Sequence, residues 1–342
     1  MTNLEAKLIQ DIRAEKTVCL ERVLLTLCGL HTEGKLGEYI RKLDQIHNGF
    51  LQRLKSQSPL SLETLRKYMA GTRAKLLFEY LWNTKPKRCN SNFLLTEVID
   101  AQLNADINQK VGSCVGLTSL YTVLGMREGL DLTILVGDSH ILNRLRVNEN
   151  VFNIDNTDPL GFDCELSGKS FFEHPPIVLL AHVLNSRGIA QEKLDNFKGA
   201  EEDYHTAIQI NPGYANAYNN LGNVKSRNGD YSGAIEDYSR AIQLNHAFVE
   251  AFCNRGIAKE SIEDYCGAIE DYDKAIGIDP DYIDAYCRRG MVKQILEDYS
   301  GAVADFNKVI ELDPESTQKM LRTEEQARHL WATRGKRFLC PE

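Results

Sequence analysis

Residues 222–255 read GNVKSRNGDYSGAIEDYSRAIQLNHAFVEAFCNR, and the same pattern recurs on both sides of them. Gly188, Gly222, Gly256 and Gly290 stand 34 residues apart. Each is followed, twelve residues on, by Ala200, Ala234, Ala268 or Ala302, and four further on by Tyr204, Tyr238, Tyr272 or Phe306. Ala207, Ala241, Ala275 and Val309 come next, and Pro212, His246, Pro280 and Pro314 close the unit. A fixed period of this length marks a repeat array. Two helices per repeat account for the spacing. The glycine and the alanine sit where the helices cross, because only a small side chain lets the backbones approach. The aromatic is expected to fill the space between one repeat and the next. The proline ends the second helix.

The period and this order of small, small, aromatic, small and proline resemble the tetratricopeptide repeat family. The resemblance implies an all-α solenoid of four repeats over 181–316 that binds a protein or peptide partner. Each repeat touches only its neighbours, so a cap is needed. The segment 317–342, with Met320, Leu321, Ala327, Leu330 and Trp331 as an apolar stripe, is the expected capping helix and tail. The first helix of each repeat is expected to line the concave face, presenting Asn219, Asn220, Asn223, Asn254 and Arg288. Tetratricopeptide domains that grip acidic chaperone tails use a clamp of Lys and Asn, then Asn, then Lys and Arg. Asn223, Asn254 and Arg288 match three of these places, whereas Asn219 and Asp284 stand where the lysines would be. Two lost cations and one gained anion weaken carboxylate capture by roughly a few kcal/mol if the pairs are buried. An uncharged or mixed peptide held by amide hydrogen bonds fits better. Alternatively the asparagines hold neighbouring repeats together. Cys253, Cys266 and Cys287 read as small packing residues.

The front half reads differently. Residues 1–85 are helical by periodicity, as in Leu20, Val23, Leu24, Leu27 and Cys28, and in Ala74, Leu77, Phe78 and Leu81. Ser61 is a candidate N-cap. A core domain is expected over 86–170 and a linker over 171–180. Within the core, VGSCVGLTSLYTVLGMREGL (111–130) predicts a helix that starts close to Cys114 and ends at Gly129. Three short strands follow, at 132–136, 141–145 and 151–154. The fold class is therefore α+β, helices with a small antiparallel sheet, followed by the all-α repeats.

Cys114, His140 and Asp155 fall at a helix start and at strand edges. A thiol is a poor nucleophile until it loses its proton. A helix N-terminus and a neighbouring imidazolium both favour the thiolate, and a carboxylate orients the imidazole. Taken singly, each residue also has a structural reading: a core cysteine, a satisfied strand-edge histidine, a turn aspartate before Pro159. The Gly-Ser-Cys helix start, the Ser-His pair opening a strand and the Asn-Ile-Asp-Asn-Thr segment together resemble the transglutaminase-like superfamily, related to papain-like proteases, over roughly 90–165. The resemblance implies Cys114 as nucleophile, His140 as general base and acid, and Asp155 as orienting residue. Ile141 stands where that family often has an aromatic residue. The oxyanion donors would be the Cys114 backbone N–H and the side chain of Asn108 or Gln109.

Composition bounds the rest. The 342 residues are 43% hydrophobic and 26% charged, with a net charge of -8, which disfavours non-specific nucleic-acid binding. No apolar run is long enough for a membrane span, and the polar start MTNLEAKLIQDIRAEK has no signal-peptide core. The nine scattered cysteines lack a CxxC pair. The expectation is a cytoplasmic protein with free thiols, no metal, no cofactor, no nucleic-acid partner and no membrane partner. Two functions remain open: a cysteine hydrolase or acyltransferase joined to a partner-binding solenoid, or a non-catalytic repeat scaffold whose front domain is inactive.

Overall fold

The computed structural model describes residues 5, 7, 10–11, 19–57, 70–85, 87, 94–106, 110–137, 140–159, 161–166 and 171–314. Ser61, the oxyanion candidates Asn108 and Gln109, Ser139 and the capping segment 317–342 lie outside these residues. The chain divides into two compact units, 1–214 and 215–342. The first of the four repeats therefore belongs to the first unit.

The first unit begins with helices α1 (Leu20–Leu27), α2 (Glu33–Gln57), α3 (Ala70–Thr84) and α4 (Leu95–Leu103). Helix α5 (Cys114–Arg127) follows and runs through the core, buried from Gly116 to Gly125. It is apolar on all sides, as a helix surrounded by protein must be. Its buried hydroxyls bond within the protein: Ser119 Oγ donates to Val115 O at 2.8 Å and Thr122 Oγ1 to Thr118 O at 2.6 Å. Tyr121 Oη donates to Ala74 O at 2.8 Å and ties α5 to α3. Gly129 stops the helix with φ +68°, a conformation that glycine adopts without a Cβ clash.

An antiparallel sheet packs beside α5. Its strands are β1 (Leu132–Val136), β2 (Ile141–Val147), β3 (Asn150–Ile154) and β4 (Phe172–His174), in the order β3-β2-β1-β4. Leu132 faces Leu145 and Val136 faces Ile141 across β1 and β2. The β2–β3 hairpin turns through Asn148, whose φ of +54° suits a tight primed turn. Residues 171–180 are not a linker: they hold β4 on the free edge of β1, a 3-10 turn at Pro176–Val178 and the start of α6 (Leu179–Glu192). Three residues are too few for an alternating pattern to show.

Helices α6 and α7 (Phe197–Ile210) form the first repeat. The second unit holds the other three: α8 (Ala215–Arg227) with α9 (Tyr231–Leu244), α10 (Val249–Glu260) with α11 (Tyr265–Ile278), and α12 (Ile283–Ile295) with α13 (Tyr299–Leu312). The aromatic of each repeat lies on the glycine of the same repeat and also packs toward the next, as expected: Tyr238 clusters with Ala258, and Tyr272 with Ala285 and Val292. A Cβ on Gly222 would sit 2.6 Å from Tyr238, one on Gly256 2.6 Å from Tyr272, and one on Gly290 2.8 Å from Phe306. A second glycine register serves capping. Asp230, Asp264 and Asp298 accept the N–H of Gly233, Gly267 and Gly301 at 2.9–3.0 Å, as Asn196 does that of Gly199 at 3.2 Å.

Candidate functional site

Cys114 is the first residue of α5, after the extended Ser113. Among the described residues Ser113 Oγ is buried without a hydrogen-bond partner, and it does not cap the helix. The first backbone N–H groups of α5 are thus not taken by the N-cap side chain, and they point their partial positive charge toward the cysteine end.

His140 immediately precedes β2. The Gly137 N–H donates to His140 O at 2.9 Å and closes the β1–β2 connection. On the next residue, Ile141 O accepts Thr118 Oγ1 at 3.3 Å, which fixes the strand start to the helix that carries Cys114. The His140 ring stands close enough to Cys114 for the thiol to raise its pKa. Its Nε2 lies 2.9 Å from Asp155 Oδ2, so Nδ1 is the nitrogen left for the thiol.

Asp155 follows β3 and performs two tasks with its two carboxylate oxygens. Oδ1 accepts the Thr157 N–H at 2.8 Å and Thr157 Oγ1 at 2.6 Å, forming the turn. Oδ2 is left for His140. The Asp155 N–H donates to Gly161 O at 2.8 Å, and a Cβ at Gly161 would collide with Asp155 O at 2.2 Å. The turn and orienting readings of this aspartate therefore coexist.

A buried amide and hydroxyl chain stands behind the triad. Asn156 Nδ2 donates to Asn143 Oδ1 at 2.8 Å, and Asn143 Nδ2 donates to Thr122 Oγ1 at 2.7 Å. This chain ties the turn after β3, the middle of β2 and α5 into one frame. The sequence did not single out Asn143 or Thr122, because their partners are distant in the chain and follow no period.

The electrostatics follow from this geometry. Asp155 and Cys114 raise the His140 pKa to about 9, against partial burial. Burial pushes the Asp155 carboxyl up, but the His140 and Thr157 hydrogen bonds outweigh it and leave it below its ordinary value. At neutral pH this histidine is an imidazolium beside a carboxylate and a thiol. The arrangement suits thiolate formation and proton delivery.

In the second unit, the partner-binding candidates are spread over neighbouring first helices. Asn219 on α8 is buried, and its Oδ1 accepts Asn254 Nδ2 from α10 at 3.1 Å. Asn223 Oδ1 accepts the Tyr238 hydroxyl at 2.8 Å. Asn220 lies half-buried on α8, and Arg288 is half-buried on α12 with no ion-pair partner among the described residues. Two of the four amide candidates are thus engaged with each other, and a third with Tyr238. Inside each repeat, a different set recurs: Arg255 pairs with Asp271 at 2.6 Å, Arg289 with Asp305 at 2.5 Å, and Lys225 with Asp237 at 2.7 Å. Asp203, Asp237, Asp271 and Asp305 are 34 apart, a signal available in the sequence. Among the described residues, no group of three or more His, Cys, Asp or Glu is placed to hold a metal ion, and no helix is long and apolar enough to cross a membrane.

Family models of the tetratricopeptide repeat match residues 215–248 and 283–316, and a further TPR repeat model matches 261–294. No curated protein matches the chain. Among solved structures, a crystal structure of MamA is similar at 26% identity, over 40% of this chain and 81% of that one, with a TM-score of 0.38. The TPR domain of Arabidopsis OM64 is similar at 24% identity over 34% of this chain and 98% of that one, with a TM-score of 0.34. The first TPR of Spaghetti (RPAP3), solved with an HSP90 peptide bound, is similar at 22% identity over 34% and 94%, with a TM-score of 0.34. The C-terminal part of this chain carries tetratricopeptide repeats.

Proposed function

We propose that the chain joins a partner-binding tetratricopeptide stack to a thiol-dependent site of transglutaminase-like type. The binding role rests on the repeats matched at 215–248, 261–294 and 283–316. The partner is a protein or peptide, met by Asn219, Asn220, Asn223, Asn254 and Arg288 with one cation and several amides. The catalytic role rests on one observation: a His140 that Asp155 holds at 2.9 Å stands beside Cys114, which begins a helix. The Cys114 thiolate adds to an amide carbonyl, and the His140 imidazolium protonates the departing nitrogen. The thioester so formed passes its acyl group to water or to an amine. Hydrolysis, deamidation and cross-linking share these steps.

The test is selective alkylation of the full-length protein by iodoacetamide at neutral pH, with the modified cysteines identified by mass spectrometry. Cys114 is expected to react at least about tenfold faster than Cys253, whose buried thiol is pushed up to about 12, and His140→Ala is expected to slow Cys114 by a similar factor. The competing reading is a protein-binding scaffold with a non-catalytic first unit, favoured by the fact that the family matches fall in the repeats. Equal alkylation of Cys114, Cys253 and Cys287 establishes that reading and removes the catalytic one.

A further inference from the structure

The backbone of Asp155 is fixed in its turn. Its N–H donates to Gly161 O at 2.8 Å, and its carbonyl accepts the Asp158 N–H at 3.3 Å. These bonds leave the carboxylate free to rotate about its own axis. The His140 and Asp155 side chains are 24% and 21% exposed, so water can compete for either carboxylate oxygen. Thr157 removes that freedom. Its N–H and its hydroxyl both donate to Oδ1, at 2.8 and 2.6 Å, and two donors on one oxygen fix the plane of the group. Oδ2 is thereby presented to His140 Nε2 at 2.9 Å.

The Thr157 hydroxyl also meets the imidazole. Its oxygen lies 3.4 Å from His140 Nε2. A hydroxyl has one proton, and here that proton is committed to Asp155, which as a carboxylate only accepts. Thr157 therefore turns a lone pair toward Nε2. Nε2 faces two acceptors, and both are satisfied only when it carries a proton. The 3.4 Å contact is long and weak, so it selects a tautomer and adds little binding energy. We propose that Thr157 is a positioning residue of the cysteine site: its hydroxyl turns one Asp155 oxygen toward His140 and confines the exchangeable ring proton to Nδ1. When His140 takes the thiol proton, the S–H bond breaks and an Nδ1–H bond forms. When it protonates a departing nitrogen, the same Nδ1–H bond breaks. Nε2 keeps its proton through both steps, and Asp155 stays ionised.

This inference rests on the catalytic reading above and has its own readout. In the full-length protein with 15N-labelled histidine, the His140 ring nitrogens, assigned by comparison with His140→Gln, are followed through the pKa of about 9. In the natural protein only Nδ1 is expected to reach the shift of an unprotonated nitrogen, while Nε2 stays protonated. Thr157→Val keeps the turn N–H and the side-chain volume. In that variant both nitrogens are expected to share the loss, and iodoacetamide alkylation of Cys114 should slow roughly 3- to 10-fold. Thr157→Ser keeps the hydroxyl and should return both readings to within about twofold of the natural protein. Identical ring titrations in the natural protein and Thr157→Val overturn the inference, and so does a Thr157→Ser variant that behaves like Thr157→Val. Loss of the folded ring signals in Thr157→Val also overturns it, because the hydroxyl is then a strut of the turn. Alkylation of Cys114 no faster than Cys253 in the natural protein removes the catalytic reading instead and leaves the ring titration unchanged.

Discussion

Within each unit the contacts have a different character. In the second unit, one set of contacts is restated every 34 residues: an aspartate cap, an aromatic on a glycine, and a cation on a buried aspartate. Each joins residues at most 16 apart. In the first unit, the decisive contacts occur once and span long stretches of chain. His47 and Arg73 converge on Glu128, Arg127 reaches Glu21, and Asn156 reaches back through Asn143 to Thr122. A repeat array spreads its stability over copies, so losing one contact costs little more than that contact. A unit built of single long-range contacts has no second copy to fall back on.

The largest expected difference follows from buried charge. Glu128 is 1% exposed and bonds His47 Nε2 at 2.6 Å and Arg73 Nη1 at 3.1 Å. Glu128→Ala removes the carboxylate that faces the buried Arg73 guanidinium, leaving the Arg73 bond to the carbonyl of residue 128, and should cost about 2–4 kcal/mol. Asp271 is equally buried, but its partners Arg255 and Lys259 remain about a fifth exposed and can turn to water. Asp271→Ala should cost nearer 1–2 kcal/mol. Urea unfolding of the full chain, followed by probes in each unit, checks this. Equal losses would dissolve the distinction between the units.

Packing gives the next contrast, within one helix pair. A Cβ on Gly256 would meet the fully buried Tyr272 ring at 2.6 Å, so Gly256→Ala should cost about 1–3 kcal/mol. Gly277, in the same repeat, has nothing within 4 Å of its Cβ position, and Gly277→Ala should be neutral or stabilise by up to about 1 kcal/mol. Thermal melts of both variants give the sign directly. A mild Gly256→Ala would mean that the aromatic is not seated on the glycine.

These examples show why the sequence was readable in some places and not in others. The glycines, alanines and prolines announced the repeats because a period needs no knowledge of contacts. The aspartates at 203, 237, 271 and 305 carry the same period, yet they gain meaning only once two helices are known to face each other. In the cysteine region, the order Cys114, His140, Asp155 was readable because each residue opens or closes an element. The Asn156–Asn143–Thr122 chain was not, since only the folded sheet brings it together. Strand β4 escaped for want of length.

The units should also part in their response to pH. The His140 pKa rises in the folded chain from 6.5 to about 9. Its bonds therefore stabilise fully below about pH 6.5, and that contribution is lost as the pH climbs through about 9. Allowing for partial exposure, the loss is on the order of 1–2 kcal/mol. Asp155 has a lowered pKa, so its contribution is present above its unfolded value near 3.8 and is lost as the pH falls below it. The pairs of the repeats use arginine and lysine, which keep their charge across this range. Stability of the first unit should fall between pH 6.5 and 9 while that of the second holds, and His140→Gln should flatten the fall. A matching decline in both units would locate the titrating group elsewhere.

Capping carries the smallest expected effect and the finest version of the contrast. Asp264 gives one oxygen to the Gly267 N–H at 3.0 Å at an exposed helix start, and Asp264→Ala should cost about 1 kcal/mol. Asn196 fills the same periodic place in the first repeat, but its amide also donates to Gln191 Oε1 at 2.7 Å, and Gln191 in turn bonds the buried Asp203. There the cap has been drawn into a chain of side chains that ends on Asp203, the partner of Arg187 at 2.5 Å. Asn196→Ala should therefore cost more than Asp264→Ala, by about 0.5–1 kcal/mol. Double-variant cycles with Gln191→Ala would show coupling at Asn196. The comparable cycle of Asp264→Ala with Lys259→Ala should be additive within about 0.3–0.5 kcal/mol if the cap of the third repeat acts alone.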